Sequence, residues 1–239
     1  MMPQKAMVLA AGLGTRMRPL TDTIPKPLVT VAGVALIDHA LDWLVASGVG
    51  DAVVNSFYKA ELLEEHLAAR TVPRIRISRE EVLLETGGGI KKALPLLGTE
   101  PFFSLNSDTI CLDGPSPALR QLAEFWDDVR MDALLLLHPV AKAIGYAGKG
   151  DFFADANGML RRRSEGESAP LVFTGVQLLH PRLFHDAPDG AFSMNVLYNR
   201  DIRRVAGLVH EGDWLHIGTP QERAAAETFL SSSPACGGG

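Results

Sequence analysis

The sequence predicts an α/β fold in which helices cover both faces of a mostly parallel mixed sheet. Short apolar runs alternate with segments of helical periodicity through the first half of the chain. Strands joined by helices in this way form parallel sheets with right-handed crossovers. At 239 residues, with no internal repeat and no long linker, the chain is expected to form one domain. These observations together predict a Rossmann-like single domain.

The elements of the first half follow from this alternation. Apolar runs predict strands at 6–11, 51–56, 74–78, 101–108 and 132–139. Apolar residues at helical spacing predict helices at 35–48, 60–69, 89–97 and 117–128. Gly48 ends the first of these helices, since glycine is common at helix C-termini. We expect the strands to be buried on both faces.

The second half contains more strands than helices. Residues 156–158 read Ala-Asn-Gly, which predicts a hairpin turn between the strand-like segments 150–155 and 158–164. A further strand is expected at 171–181. The sheet is therefore expected to include antiparallel strands at this end.

The last helix has a clear start signal. It is expected at 219–230, with Thr219 as cap, Pro220 in the first turn and Glu222 three residues after the cap. The serine- and glycine-rich tail 231–239 is expected to be disordered. The predicted domain therefore covers residues 1–230.

Composition narrows the classes of function. A net charge of −5 argues against a general binder of nucleic acid or membrane surfaces. No apolar stretch approaches the roughly 20 residues of a membrane span, and no signal peptide is recognised. Cys111 and Cys236 have neither metal-type nor disulfide-type spacing, so a reducing cytoplasmic location is expected. An anionic ligand must therefore be met by a local cluster of positive charge.

Such a cluster follows the first predicted strand. Residues 12–20 read GLGTRMRPL, and Lys26 follows between two prolines. Glycines let backbone N–H groups approach phosphate oxygens, and Arg16 and Arg18 can add bidentate hydrogen bonds. The glycine pattern matches neither a dinucleotide fingerprint nor a Walker A sequence. We interpret the segment as a phosphate-binding loop; a tight turn with solvated arginines is the alternative.

A longer segment around this loop is typical of a known family. Residues 9–28, LAAGLGTRMRPLTDTIPKPL, resemble the signature of the nucleotidyltransferases that activate sugar 1-phosphates. Similarity at 84–90, 105–108, 172–181 and 214–220 extends the resemblance over nearly the whole chain. It implies that a sugar 1-phosphate attacks the α-phosphorus of a nucleoside triphosphate and releases pyrophosphate. UTP and N-acetylmuramate 1-phosphate are the favoured substrates; GTP with mannose or heptose 1-phosphate is the alternative.

The resemblance also assigns roles to individual residues. Arg16 would hold the β- and γ-phosphates and Lys26 would bridge the α-phosphate and the sugar phosphate, so these two are the expected catalytic residues. The other residues expected to bind the nucleotide are Ala11, Gly12, Gly14, Thr15, Glu80, Gly87 and Gly88. Backbone amides near Gly87 or Gly88 could donate to uracil, and Glu80 could accept from its N–H or lie on the surface.

The sugar and the metal have their own expected residues. The resemblance places the sugar beside Asn106, Gly150, Asp151, Thr174 and Gly175, although a hairpin glycine and a strand edge explain the last four nearly as well. Asp108, after a buried strand, is the expected ligand of Mg²⁺, which binds one or two carboxylates together with phosphate oxygens. An ordinary Asx turn is the alternative for Asp108.

One position departs from the family pattern. His216 occupies the place where many members have a second metal-binding aspartate. Because Mg²⁺ prefers oxygen, His216 could bind it through water, favour Mn²⁺, or leave Asp108 as the only ligand. Asp213 is a weaker substitute, since it would point elsewhere on its strand. The change keeps open a non-catalytic nucleotide-sugar-binding protein; a dinucleotide-dependent oxidoreductase is disfavoured by the incomplete glycine pattern.

Two features remain open at this stage. Arg161, Arg162 and Arg163 follow the predicted hairpin turn and could contact a polyanion, but we favour an exposed strand edge protected by charge. A monomer and a small homo-oligomer are both compatible with the sequence.

Overall fold

A sheet of nine strands organises residues 2–232, the part of the chain described by the computed structural model. The helices are α1 (Leu36–Ala46), α2 (Ala60–Ala68), α3 (Glu85–Leu97), α4 (Ala118–Phe125), α5 (Met194–Arg200) and α6 (Pro220–Ser232). The strands are β1 (Lys5–Leu9), β2 (Thr30–Val31), β3 (Val34–Ala35), β4 (Asp51–Ser56), β5 (Arg74–Arg79), β6 (Phe102–Asn106), β7 (Thr109–Leu112), β8 (Ala133–Pro139), β9 (Phe152–Ala154), β10 (Leu160–Arg162), β11 (Leu171–Leu179), β12 (Val205–Val209) and β13 (Asp213–His216). Within this range, no helix is both long and apolar enough to cross a membrane.

The main sheet is mostly parallel. Strands β5, β4, β1 and β6 lie side by side in parallel, and β11 follows in the opposite direction. β8 is antiparallel to β11, and β12 runs parallel to β8. The β9–β10 hairpin joins the sheet where Phe152 pairs with Leu171 at the start of β11. The predicted mixed sheet is confirmed, with β11 and the hairpin as its antiparallel part.

Both faces of the sheet are covered because its strands are apolar on both sides. Successive side chains of a strand point to opposite faces. Ala6 and Val8 on β1 therefore belong to the core shared with α1, α2 and α4, whereas Met7 belongs to the core shared with α3 and α5. The predicted helical layers on both faces are confirmed.

A second, two-stranded sheet brings distant parts of the chain together. β7 and β13 pair antiparallel, with His216 opposite Thr109. Ile110, Leu215 and Ala226 join β7, β13 and α6 in a third apolar cluster. The segment that follows β13 is thereby held beside the segment that follows β6.

Several elements differ from the sequence predictions. The short β2–β3 hairpin, β7, α5 and β12 have no counterpart among the predicted elements, because segments of two to seven residues give little periodicity. α3 begins at Glu85 instead of 89: its glycines disfavour a helix intrinsically, but tertiary packing overrides that preference. α6 continues to Ser232, and the rest of the predicted tail, including Cys236, lies outside the described residues.

Two buried histidines lie side by side near Trp214. His138 is 1% exposed and His210 is 2% exposed, and their ring centroids are 6.0 Å apart. The Nδ1 atom of each ring is buried and has no hydrogen-bond partner among residues 2–232. Burial lowers the pKa of both imidazoles below the ordinary histidine value.

We expect the free energy of unfolding to decrease as the pH falls from about 7.5 to about 5.5. The unfolded chain takes up protons near the ordinary histidine pKa of about 6.5, whereas the two buried imidazoles of the folded state resist protonation. The free energy of unfolding is therefore highest above that pH and decreases below it. His210→Gln should weaken this dependence, because it removes one buried titratable group. Urea unfolding at both pH values measures it, and an equal decrease in the variant would contradict the assignment.

Candidate active site

The carboxyl ends of four parallel strands open into a cleft of about 400 Å³. Leu9 ends β1 and Ala10 to Gly12 follow it, Asn55 lies near the end of β4, and Glu80 follows β5. Asn106 ends β6, and Ser107 and Asp108 follow it. The opposite wall includes Glu85, Thr86 and Ser193. Ligands of open α/β sheets bind at this edge of the strands, so the cleft is the candidate active site.

The glycine loop after β1 is held against Lys26. Gly14 has a left-handed backbone, with φ of 63°, and a Cβ atom there would lie 2.9 Å from Lys26 Cβ. Thr21 Oγ1 donates a hydrogen bond to Gly14 O at 2.8 Å, and Tyr58 Oη donates to Thr21 O at 2.9 Å. A side chain at position 14 would therefore push the loop away from the lysine.

The same loop presents unpaired hydrogen-bond donors. The N–H of Ala10 donates to Asn55 Oδ1 at 2.7 Å, but within the described range the N–H groups of residues 11–14 have no acceptor. Ala11 and Gly12 line the cleft, and Thr15 begins a short 3₁₀ turn beyond them. A row of free amides beside glycine is a suitable site for phosphate oxygens.

The two arginines of the loop have different partners. Arg18 forms an exposed ion pair with Asp22 at 3.3 Å. No ion pair engages Arg16 among residues 2–232, and its Nη2 lies 3.2 Å from the place where a Cβ on Gly218 would stand. Arg16 is therefore the arginine that remains available for an anionic ligand.

Lys26 and Asp108 form an ion pair at the floor of the cleft. Lys26 Nζ lies 2.8 Å from Asp108 Oδ2, and the side chains are 12% and 28% exposed. Asp108 Oδ1 accepts no hydrogen bond from residues 2–232. The pair is thus accessible on one side, with two further lysine donors and a free carboxylate oxygen that could hold a ligand or a metal.

His216 lies beside this pair because β13 is paired with β7. The N–H of Ile217 donates to the carbonyl oxygen of Asp108 at 3.1 Å. His216 Nε2 lies 3.8 Å from Glu222 Oε2, which in turn accepts a hydrogen bond from the N–H of Gly218 at 2.6 Å. Glu222 was expected only to cap α6; it also braces the segment between His216 and the helix.

The surroundings of His216 act on its pKa in opposite directions. Burial lowers the pKa of His216, while the nearby carboxylates of Asp108 and Glu222 act to raise it. Asp213 is exposed on β13, so it does not replace the absent aspartate. Over residues 2–232 no three His, Cys, Asp or Glu side chains are grouped as a metal site. The protein ligand best suited to Mg²⁺ is therefore the free carboxylate oxygen of Asp108.

The amides of Gly87 and Gly88 already have an acceptor within the protein, and their contact with the nucleotide stays a prediction. Both N–H groups donate to the carbonyl oxygen of Phe192, at 2.8 and 3.2 Å. A Cβ atom on Gly87 would lie 2.3 Å from the Phe192 ring, and one on Gly88 would lie 2.3 Å from Gly190 O. The glycines allow the 190–193 segment to pack on the start of α3, which forms the wall of the cleft.

Glu80 is part of the scaffold of the cleft. It is 4% exposed, and its carboxylate accepts from Asn55 Nδ2 at 2.7 Å and from the N–H of Leu84 at 3.0 Å. It is therefore not the surface side chain of the alternative interpretation; acceptance of a hydrogen bond from uracil stays a prediction.

Sequence reasoning missed Asn55, although a polar residue near the end of an apolar strand could have indicated it.

The five residues predicted to lie beside the sugar occupy two places in the structure. Asn106, Thr174 and Gly175 lie on β6 and β11, and Gly150 and Asp151 precede β9. Asn106 lines the cleft, and Gly175 has a left-handed backbone that lets Asn106 approach it: a Cβ there would lie 2.7 Å from Asn106 Nδ2. Thr174 is fully buried and its side chain donates to Leu136 O at 2.9 Å, while its place beside the sugar stays a prediction.

Gly150 and Asp151 lie at the base of the β9–β10 hairpin. Gly150 has a left-handed backbone, and its carbonyl oxygen accepts from Arg163 Nε at 2.8 Å. Asp151 Oδ2 accepts from the N–H of Phe173 at 2.9 Å. Both residues therefore fix the hairpin onto β11, and a direct contact with sugar stays a prediction.

The fold and the cleft are those of a nucleotide-dependent transferase. Residues 5–148 match the nucleotidyl transferase family, and the chain belongs to that family. The predicted family and the predicted nucleotidyltransferase are therefore confirmed.

The similarity to individual relatives covers nearly the whole chain. The chain is 50% identical over 238 residues to the N-acetylmuramate alpha-1-phosphate uridylyltransferase of Caulobacter vibrioides, covering 97% of this chain and 98% of that protein. A Neisseria meningitidis protein of the same name is 34% identical over 221 residues, covering 90% and 93%. The crystal structure of HddC from Yersinia pseudotuberculosis complexed with GMP-PN has a TM-score of 0.77 at 22% identity, covering 94% of this chain and 99% of that one, and shows the fold.

Two glycine substitutions should separate ligand contact from packing. A Cβ on Gly12 would meet nothing within 4 Å, so Gly12→Ala should leave the melting temperature unchanged. It should nevertheless weaken nucleotide binding by about tenfold, because the methyl group would block the free amides. Gly87→Ala should instead lower the free energy of unfolding by about 2 kcal/mol through the clash with Phe192. Calorimetric titration and thermal unfolding measure both, and the reverse pattern would contradict the two roles.

Proposed function

We propose that the protein transfers the uridylyl group of UTP to N-acetylmuramate α-1-phosphate, forming UDP-N-acetylmuramate and pyrophosphate. The observation that supports this most is that the free amides of Ala11 and Gly12 and the accessible Lys26–Asp108 pair line one cleft, with the unpaired Arg16 on the same loop. The choice of uracil and of this sugar rests on the full-length similarity to proteins named for that reaction.

The reaction requires positively charged groups and correct positioning of the two substrates, and it needs no general base. A phosphate monoester has a second pKa of about 6, so the attacking oxygen is already anionic near neutral pH. This oxygen forms a bond to the α-phosphorus, the bond from the α-phosphorus to the bridging oxygen breaks, and pyrophosphate leaves with the electron pair. The obstacle is the approach of two anions, which positioning and cations overcome.

The residues of the cleft are suited to that task. Arg16, with a planar fork of donors, would hold the β- and γ-phosphates that become pyrophosphate. Lys26 has three N–H donors, so it can keep its contact with Asp108 and still donate to the α-phosphate and the sugar phosphate. The amides of residues 11–14 would hold the triphosphate in line with the attacking oxygen.

Asp108 would hold Mg²⁺ through the oxygen that Lys26 does not contact. Phosphate oxygens and water would complete the shell, as is usual for this ion. When bound, Mg²⁺ neutralises negative charge on the phosphates. His216 offers nitrogen, which suits Mn²⁺ better, so both ions belong in the assay. UTP as substrate agrees with the expected cytoplasmic location.

The test is pyrophosphate release from each of the four nucleoside triphosphates with a panel of sugar 1-phosphates. Each pair is assayed with Mg²⁺ and with Mn²⁺. Release is expected with UTP and N-acetylmuramate 1-phosphate. Release only with GTP and mannose or heptose 1-phosphate would replace both substrates, and nucleotide binding without any release would leave a binding protein in place of the enzyme.

The loss of kcat on replacing a positively charged side chain of this segment should depend on the partners that the side chain has in the structure. Lys26→Ala and Arg16→Ala should each lower kcat by about 10²-fold or more, because each removes a charge that stabilises the transition state. Arg18→Ala is the matched control and should change kcat less than about twofold, since exposed ion pairs such as that with Asp22 contribute little. Equal effects of the two arginine variants would contradict the roles given to them.

A further inference from the structure

The three consecutive arginines after the hairpin turn have three different environments. Arg161 lies over the ring of Phe153 at 3.9 Å and forms an ion pair with Glu167 at 2.9 Å. Arg163 Nε donates to the carbonyl oxygen of Gly150 at 2.8 Å. Arg162 points to the opposite face of β10, because side chains alternate along a strand. The run is thus more than an exposed edge protected by charge.

Arg162 is a half-buried guanidinium with no acidic partner. Its guanidinium lies 5.0 Å from the centroid of the Phe152 ring, and Nη2 donates to Asn195 Oδ1. Nε is buried and has no acceptor among residues 2–232, and in that range no carboxylate forms an ion pair with Arg162. The acidic groups that act on its pKa are Asp151, which accepts from Phe173, and the buried phenol of Tyr198.

This arrangement is energetically unfavourable unless an anion completes it. Withdrawing a cation from water is costly when neither a counter-charge nor a full set of acceptors replaces the water. Burial accordingly lowers the pKa of Arg162 from its ordinary value. A carboxylate is the best match for a guanidinium, since its two oxygens accept parallel hydrogen bonds from the planar fork.

The strand register places Arg162 at the side of the cleft away from the phosphate loop. Val176 on β11 pairs with Leu105 near the end of β6, so the earlier residues of β11 extend beyond the carboxyl edge of the parallel strands. Leu171 pairs with Phe152, which pairs with Arg162. The hairpin therefore rises above this edge, on the far side of β6 and β11 from β1.

The partner of Arg162 connects it to the lining of the cleft. Asn195 is exposed in the first turn of α5, and its N–H donates to Oγ of Ser193, which lines the cleft. Thr86, another lining residue, accepts from the N–H of Met194 through Oγ1 at 3.1 Å. The Arg162–Asn195 pair is therefore adjacent to the wall of the cleft that Thr86 and Ser193 form.

We propose that Arg162, together with Asn195, binds a carboxylate on the sugar of the second substrate and selects acidic sugar 1-phosphates over neutral ones. The inference rests on the proposed function. N-acetylmuramate has a lactyl ether that ends in a carboxylate, whereas N-acetylglucosamine is the same amino sugar without it. The sugar phosphate is the other anion that a guanidinium could bind, and the two sugars distinguish these sources.

The experiment compares Arg162→Met with the wild type on both sugar 1-phosphates at saturating UTP. Methionine keeps an unbranched apolar stem over Phe152 and removes the charge. We expect KM for N-acetylmuramate 1-phosphate to rise about 10- to 100-fold, the range of a hydrogen bond to a charged group. KM for N-acetylglucosamine 1-phosphate and kcat with that sugar should stay unchanged. Arg161→Met, from the opposite face, is the matched control and should change neither sugar's kinetics.

Each outcome decides a different claim. Equal losses with both sugars, or no loss with either, would overturn the carboxylate site while leaving the proposed function intact. Absence of turnover of N-acetylmuramate 1-phosphate by the wild type would overturn both. Arg162→Lys keeps the charge and should retain part of the preference for the acidic sugar. This variant tests the site even if the methionine variant fails to fold. Calorimetric titration with UDP-N-acetylmuramate and UDP-N-acetylglucosamine gives the same comparison without turnover.

Discussion

A buried chain of hydrogen bonds through Asn55 determines how the elements of the cleft are spaced. Ala10 N–H donates to its Oδ1, its Nδ2 donates to Glu80, and Glu80 accepts from the N–H of Leu84. The chain joins the ends of β1, β4 and β5 to the residue before α3. Every member is satisfied, so the network is rigid; a partly satisfied one would be unstable. The glycine loop begins at the next residue, Ala11, and depends on this anchor.

The positive charges of the candidate site are arranged locally, against the negative sign of the whole chain. The chain has a net charge of −5, but in the glycine loop Arg18 is neutralised by Asp22 while Arg16 is left available. Lys26 is compensated by Asp108 on one side only. Because the charges act at short range, the overall sign of the surface matters less than which cations lack partners. The same argument distinguishes Arg162 from Arg161 at the other end of the cleft.

Glycine has two physical roles here that look identical in sequence. At Gly12 it leaves open space beside unpaired amides, which suits a ligand. At Gly87 the space is already filled by the ring of Phe192, and the amide is already used. A glycine-rich segment therefore does not by itself distinguish ligand contact from close packing. What distinguishes them is the partner, and Phe192 is more than a hundred residues away along the chain.

The sequence by itself determined the longer alternating elements of the first half and both helical layers, and it singled out the glycine loop with Arg16, Lys26 and Asp108 as a candidate site. These follow from periodicity and from residue types that are local in the chain. Only the tertiary structure decided that Gly87 packs against Phe192, that Glu222 braces the segment after His216, and that Arg162 is half-buried without an acid. The reason is that burial and pairing depend on contacts between distant segments, which strand register and helix packing create and which no local pattern contains.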